Sequence, residues 1–351
     1  MAESFAREAL FVEERFLRYD GCNQTWLDAL RALAAFFVIG IHTSGQYLAP
    51  EHWQSSNGYV AALVQGFVQI GVPLFFMLSG AFLLAQPIEK PSTFYRKRLP
   101  RLLIPFAVWL PLYYLYFWIK GADVAEYALH LFWAKGYFHL WFLPPLLGLY
   151  LVTPLLRKLI ERVSRSRHLS LIALALLLLE VIGSLFLFVY QVELPIPILF
   201  IPYLGYYLLG YVLKEHALAK KSLWGVLYGT STLAMITLLM LYHGSSWAEY
   251  VTSNLSPLVA MATISLFALF SSRPHLAYNS RFLGSFAARS LGVYLIHIVV
   301  LDVVTKPFLL WFPWIMEQAL LSILLRWSLT AALSFIGVSL LQKVRLLRLF
   351  L

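Results

Sequence analysis

Long apolar stretches alternate with short polar breaks along the whole chain. Ten of them approach the about 20 residues that a helix needs to cross the hydrocarbon core of a bilayer. They cover residues 26–48, 59–86, 102–119, 139–156, 169–190, 197–213, 222–242, 253–271, 288–308 and 319–341. The pattern predicts an all-α fold, a polytopic membrane helical bundle of about ten transmembrane helices. Residues 59–86 would run about 42 Å as one helix, longer than the roughly 30 Å core, so a bend is expected at Gly71 and Pro73. Pro105, Pro111, Pro144, Pro145, Pro154, Pro202 and Pro257 also fall inside the apolar stretches. Each lacks a backbone donor and invites a kink, which predicts an irregular bundle around a cavity.

The polar remainder sets the domain plan. No polar segment exceeds about 25 residues, too few to bury a core of its own. Residues 1–25 read as a short interfacial segment with Phe5, Phe11, Phe16 and Leu17 on an apolar stripe, 26–341 as one membrane domain, and 342–351 as a tail. Hydrophobic residues make up 60% of the 351 positions and charged residues 13%, against about 45–50% and 25% in soluble domains.

The charges then orient the bundle. Of the 27 Lys and Arg residues, 22 fall at the termini and in the alternate loops that share their side. Lys120 and Lys135 lie in loops of the other side, and Arg31, Lys306 and Arg326 lie within stretches. This positive-inside asymmetry predicts both termini in the cytoplasm. It also explains the formal charge of +10 without nucleic acid, through basic loops beside anionic lipid. The single cysteine, Cys22, excludes an internal disulfide and reads as a packing residue.

A few polar groups inside the apolar stretches carry the candidate chemistry. Arg31 and His42 lie eleven residues apart, which on a helix means about 16 Å of rise and only about 20° of rotation, so they share a face. Asp28, one turn before Arg31, can pair with it. The segment EKPSTFYRKRLPRLLIP holds Arg96, Lys97, Arg98 and Arg101. Arginine forks match phosphate oxygens, so this cluster can hold a phosphorylated molecule at the mouth of a cavity. His139 and Trp141 in YFHLWFLPPLLGLY suit either a membrane interface or a sugar ring. Tyr294 and His297 share a face of SLGVYLIHIVVLD, with Asp302 beyond, and Glu180 stands alone in its stretch. The residues alone leave open that Arg31 is a topological anchor and that the histidines serve packing. Zinc spacings, a Walker loop, a G-x-S-x-G elbow and a dinucleotide fingerprint are all missing from the sequence, so no metal site is expected.

LDALRALAAFFVIGIHTS resembles the first span of the acyltransferase 3 family of integral membrane O-acyltransferases, whose signature is an arginine, ten residues and a histidine. FFMLSGAFLL around Ser79 and Gly80, the R-x-x-R pair Arg98 and Arg101, HLWFLPPLLGLYLVTPLL and SLGVYLIHIVVL extend the likeness in order along nearly the whole chain. The resemblance implies a multi-pass protein of the bacterial inner membrane, similar to the O-acetyltransferases of surface polysaccharides and enterobacterial common antigen. It implies transfer of an acyl group, often acetyl, from cytoplasmic acyl-coenzyme A to a sugar hydroxyl of a surface polysaccharide or lipid-linked glycan, with no permanently bound cofactor. Arg31, Arg96, Arg98 and Arg101 would hold the donor, and His42 would act as general base with Arg31 on its face. His139 and Trp141 would meet the acceptor, supported by Asp28, Ser79, Tyr294 and His297. This reading expects a continuous polar passage from the arginines to His42. The rival reading is a glycolipid or polysaccharide transporter without chemistry.

Overall fold

The computed structural model describes residues 25–49, 55–87, 89–129, 131, 135–163, 166–216, 221–242, 244–272, 281–344 and 347–351. The interfacial segment expected at the N-terminus lies outside them apart from Thr25, as does Cys22. The described chain is helical throughout. Its α-helices are α1 Thr25–Gly45, α2 Ser56–Val68, α3 Gly71–Leu83, α4 Pro91–Arg98, α5 Pro100–Ile119 and α6 Val124–Leu129. They continue with α7 Leu143–Arg162, α8 Ser166–Val189, α9 Leu204–Glu215, α10 Lys221–Leu241 and α11 Ser246–Val251. The last are α12 Pro257–Ser271, α13 Arg281–Ala288, α14 Ser290–Trp311, α15 Pro313–Met316 and α16 Ala319–Leu341.

Among the described residues, nine helical stretches are long and apolar enough to cross a membrane. The expected stretch 253–271 forms α12, an apolar helix of 15 residues that falls short of that length. Ser256 caps it through Val259 N and Pro257 opens it, so the helix cannot start earlier. The bend expected in residues 59–86 occurs at Gln69–Ile70, between α2 and α3. The polar segment before 102, expected as a loop, is instead the helix α4, opened by Pro91.

The prolines divide into two kinds. Pro105, Pro111 and Pro154 lie inside helices, as expected. Pro144, Pro202 and Pro257 occupy first-turn positions, where the missing donor leaves no helical bond unmade, so these start elements rather than kink them. Pro73 is likewise in the first turn of α3.

Helix α1 is the hub, packed against α2, α3, α12, α13, α14 and α16. Its small residues permit this. Ala32, Ala34 and Ala35 are buried, and a Cβ on Gly40 would come within 2.6 Å of the Trp327 ring on α16. Trp327 stacks on Phe36 at 4.4 Å, and its Nε1 donates to the Phe36 carbonyl. Helices α3 and α9 cross with backbones in contact, because a Cβ on Gly80 would land on the Tyr207 carbonyl and one on Gly210 on that of Met77. Leu178, Leu179 and Ile182 on α8 are exposed, the face such a helix turns to lipid.

Candidate active site

His42 lies in the last turn of α1, partly exposed. Its ring faces two others. The His297 ring of α14 is 5.1 Å away between centroids and the His139 ring is 6.5 Å away, while His139 and His297 are 5.2 Å apart. Three imidazoles distant in sequence thus meet in one place. His139 belongs to the 3-10 stretch Lys135–Phe142, whose Phe138 has φ 48, a left-handed conformation costly to a residue with a side chain. Packing of the Phe138 ring on Phe117, 4.3 Å between centroids and tilted by 34°, holds that segment beside α5.

Two tyrosines frame the cluster. Tyr113 of α5 donates to the Leu295 carbonyl of α14 at 2.7 Å, and its ring meets His139 edge-on at 4.4 Å. Tyr294 donates to the backbone carbonyl of His139. His297 places Nδ1 2.6 Å from the Tyr294 carbonyl one turn earlier, a contact that requires the proton on Nδ1. Its Nε2, and both ring nitrogens of His139, are buried and make no hydrogen bond within the protein. The Leu295 carbonyl beside His139 is the one that Tyr113 occupies. Buried polar atoms without partners are rare, and several in one cluster mark a place for polar groups from a ligand.

At the other end of α1, Arg31 lies 3.9 Å from Asp28, the pairing expected from the sequence, and its guanidinium covers the Phe82 ring at 4.1 Å. The Tyr150 hydroxyl of α7 lies within Coulombic range of Arg31, Arg98 and Arg101. Arg96 and Arg101 are exposed. Arg98 is buried, with its guanidinium donating to Glu89 and Gln86. Burial by itself would raise the Glu89 carboxyl, but hydrogen bonding from Lys97 and the charge and hydrogen bond of Arg98 outweigh it and hold the group below its ordinary value. Phe94 is sandwiched between Arg98 at 4.5 Å and Arg157 at 4.9 Å. Arg157 Nε donates to the Leu83 carbonyl at 2.8 Å and so caps α3.

A family model described as an acyltransferase domain, that of acyltransferase 3, matches residues 24–342. The chain belongs to the acyltransferase 3 family. No curated protein and no solved structure matches it. Both the cationic end and the histidine end lie inside the matched segment, so this is a membrane acyltransferase whose polar residues converge at two places on α1.

Between those places the family member differs from the sequence expectation. Ala34, Ala35 and Val38, on the face shared by Arg31 and His42, are buried and apolar, so α1 offers no polar passage. The half-buried side chains that connect the ends lie on α3, where Phe75, Ser79 and Phe82 share a face. Phe75 meets Phe142 at 5.9 Å, Phe142 meets Tyr294 at 5.7 Å, and Tyr294 meets His139 at 5.7 Å. Trp141 does not join the histidines, its ring standing 6.4 Å from Tyr203. Glu180 accepts from Gly205 N at 2.8 Å and caps α9, and Asp302 is taken by Tyr116 and Lys120. Sequence reasoning missed Tyr113, Tyr150 and Arg157. Tyr150 stood in the quoted segment HLWFLPPLLGLYLVTPLL, while nothing local signalled the other two. Among the described residues no group of histidine, cysteine or acidic side chains is arranged to hold a metal.

Proposed function

We propose that this acyltransferase moves an acyl group, acetyl in the simplest case, from cytoplasmic acyl-coenzyme A to a sugar hydroxyl of a lipid-linked glycan or surface polysaccharide at the bacterial inner membrane. The observation that carries this reading is the convergence of His42, His139 and His297 at one end of α1 while Arg31, Arg101 and Tyr150 gather at the other. Eleven residues of continuous helix separate the two, about 16 Å. Coenzyme A carries phosphates at one end and its thioester at the end of a long slender arm. Arg31 and Arg101, with Arg96 at the surface, attract the phosphates. The arm, methylene and gem-dimethyl groups interrupted by a hydroxyl and two amides, suits the aromatic face of Phe75 and Phe82 interrupted by Ser79. Arg98, engaged by Glu89 and Gln86, shapes this mouth and adds charge to it.

A sugar hydroxyl is a poor nucleophile until a base takes its proton, and a positioned imidazole contributes roughly 10² to 10⁴ in rate. His42, the partly exposed member of the trio, takes that role, and His139 offers its unpartnered nitrogens to the acceptor's hydroxyls. Trp141 serves the acceptor only if the glycan extends toward Tyr203. The test supplies purified protein with radiolabelled acetyl-coenzyme A and lipid-linked sugars. Label in the glycan, lost in His42→Ala, is expected. Glycan movement across vesicles without label would overturn the reading in favour of transport. Label on the protein in single turnover without acceptor would replace direct transfer by an acyl-histidine step.

A further inference from the structure

His297 has features that a packing residue does not need. It is wholly buried, its Nδ1 proton is committed to the Tyr294 carbonyl at 2.6 Å, and its Nε2 lone pair has no partner in the protein. A direct N–H···N bond of roughly 3 Å, with about 1.1 Å from each nitrogen to its ring centre, puts two imidazole centroids about 5.2 Å apart. His42 and His297 stand at 5.1 Å with planes tilted by 47°, and His139 and His297 at 5.2 Å; both distances allow the bond and neither pair makes it in this structure, so one ring must turn to form it. His42 and His139, at 6.5 Å, are too far for such a bond. Around His297 the titratable groups are His42 of α1, His139, Tyr113 of α5 and Tyr294 of its own helix. Both tyrosine hydroxyls are committed to backbone carbonyls. Only the two histidines remain to supply a donor, and His42, partly exposed at the end of α1, is freer to turn than His139, which is buried with the Tyr113 ring edge-on at 4.4 Å.

We propose that His297 is the positioning residue of the site: with a turn of the His42 ring, its Nε2 accepts the N–H of His42 and so determines which nitrogen of His42 faces the acceptor. This rests on the reading of His42 as base. In the step, the acceptor hydroxyl gives its proton to the other nitrogen of His42 as its oxygen bonds to the thioester carbon. The carbon–sulfur bond breaks and the sulfur takes that proton from His42, leaving an ester and a free thiol. His297 keeps its own Nδ1 proton throughout. Its lone pair holds the His42 N–H while that ring is positively charged, as an acceptor behind a catalytic imidazole does in other transferases and hydrolases.

The experiment has two arms. In the full-length protein in nanodiscs, labelled with ¹⁵N-histidine, His297 is expected as the Nδ1–H tautomer, with an Nε2 resonance that moves in His42→Ala and stays in place in His139→Ala. In acyl transfer, His297→Leu is expected to lower kcat about tenfold or more without changing donor KM. His297→Gln, whose amide oxygen accepts the same N–H, should recover part of the rate. An Nε2–H tautomer, a resonance that follows His139 instead of His42, or equal losses in the Leu and Gln variants would overturn the proposal. If His297→Leu does not fold, the resonance arm decides on the native protein. That arm also decides if no acyl transfer is found, so failure of the activity and failure of the pairing are separable.

Discussion

At His42 a single ring carries the proposed chemistry, and its neighbours show what its loss should do. His42→Ala is expected to cut acyl transfer by about a hundredfold or more while donor affinity, set about 16 Å away, stays unchanged. Full activity in a correctly inserted variant would remove the assignment. Arg326 is the other costly side chain, 1% exposed on α16, with Nη1 donating to Gln46 Oε1 at 2.5 Å and Nη2 to the Thr43 carbonyl at 2.6 Å. It caps the helix end that carries His42. Arg326→Ala leaves the buried Thr43 carbonyl without its donor and a cavity where the side chain stood, so a loss on the order of 2–4 kcal/mol is expected, read as a lower unfolding midpoint in detergent. A midpoint within a degree of the native protein's would show the cap to be dispensable.

Glu89 gives a pH test. Its carboxyl is held below its ordinary value in the folded protein, so its contribution is complete above the unfolded value of about 4.3 and disappears as pH falls through the lower folded value. The gap in thermal midpoint between native protein and Glu89→Gln, present at pH 7, should therefore close in acid below that range. A gap that persists at pH 2 to 3 would mean that Glu89 acts through packing.

At the scale of elements, the spacing of Arg31 and His42 on one helix was legible, and α1 runs unbroken between them. The pairing of Asp28 with Arg31 was legible for the same reason, since neighbours one turn apart meet on any helix. The meeting of His42, His139 and His297 was not, because a helical period says which residues share a face but not which helix that face meets. The polar passage was misread through the same gap, with Ala34, Ala35 and Val38 on the shared face packed shut and the half-buried face supplied by α3. The crossing of α3 and α9 adds a test. Gly80→Leu must separate two backbones in contact, so folded yield should fall sharply, whereas Gly225→Leu on α10, with nothing within 4 Å of its Cβ, should be tolerated. Equal yields would contradict the close crossing.

Across the whole molecule, the distribution of lysine and arginine predicts a side for every loop. A cysteine at position 96 should react with an impermeant reagent only from the cytoplasmic face, and one at position 120 only from the other. The reverse pattern would invert the donor's side and remove the reason for coenzyme A at Arg31. The C-terminal turn Leu347–Phe350 packs back on the bundle, where the Phe350 carbonyl accepts from Trp109 Nε1 at 2.7 Å. Leu347–Phe350, within the stretch expected as a tail, therefore contacts the bundle.

The sequence by itself determined the solvent of this protein, the approximate limits of its long apolar helices, and the family, because length, hydropathy and local spacing are properties of one segment at a time. Tertiary structure alone decided that three distant histidines share a site, that Arg98 and Arg157 both meet the Phe94 ring beside the cationic end, and that Trp141 comes near Tyr203. Those outcomes depend on which faces can approach closely. Glycines and alanines on α1, α3 and α9 set that approach, and their effect is realised only when a second helix arrives.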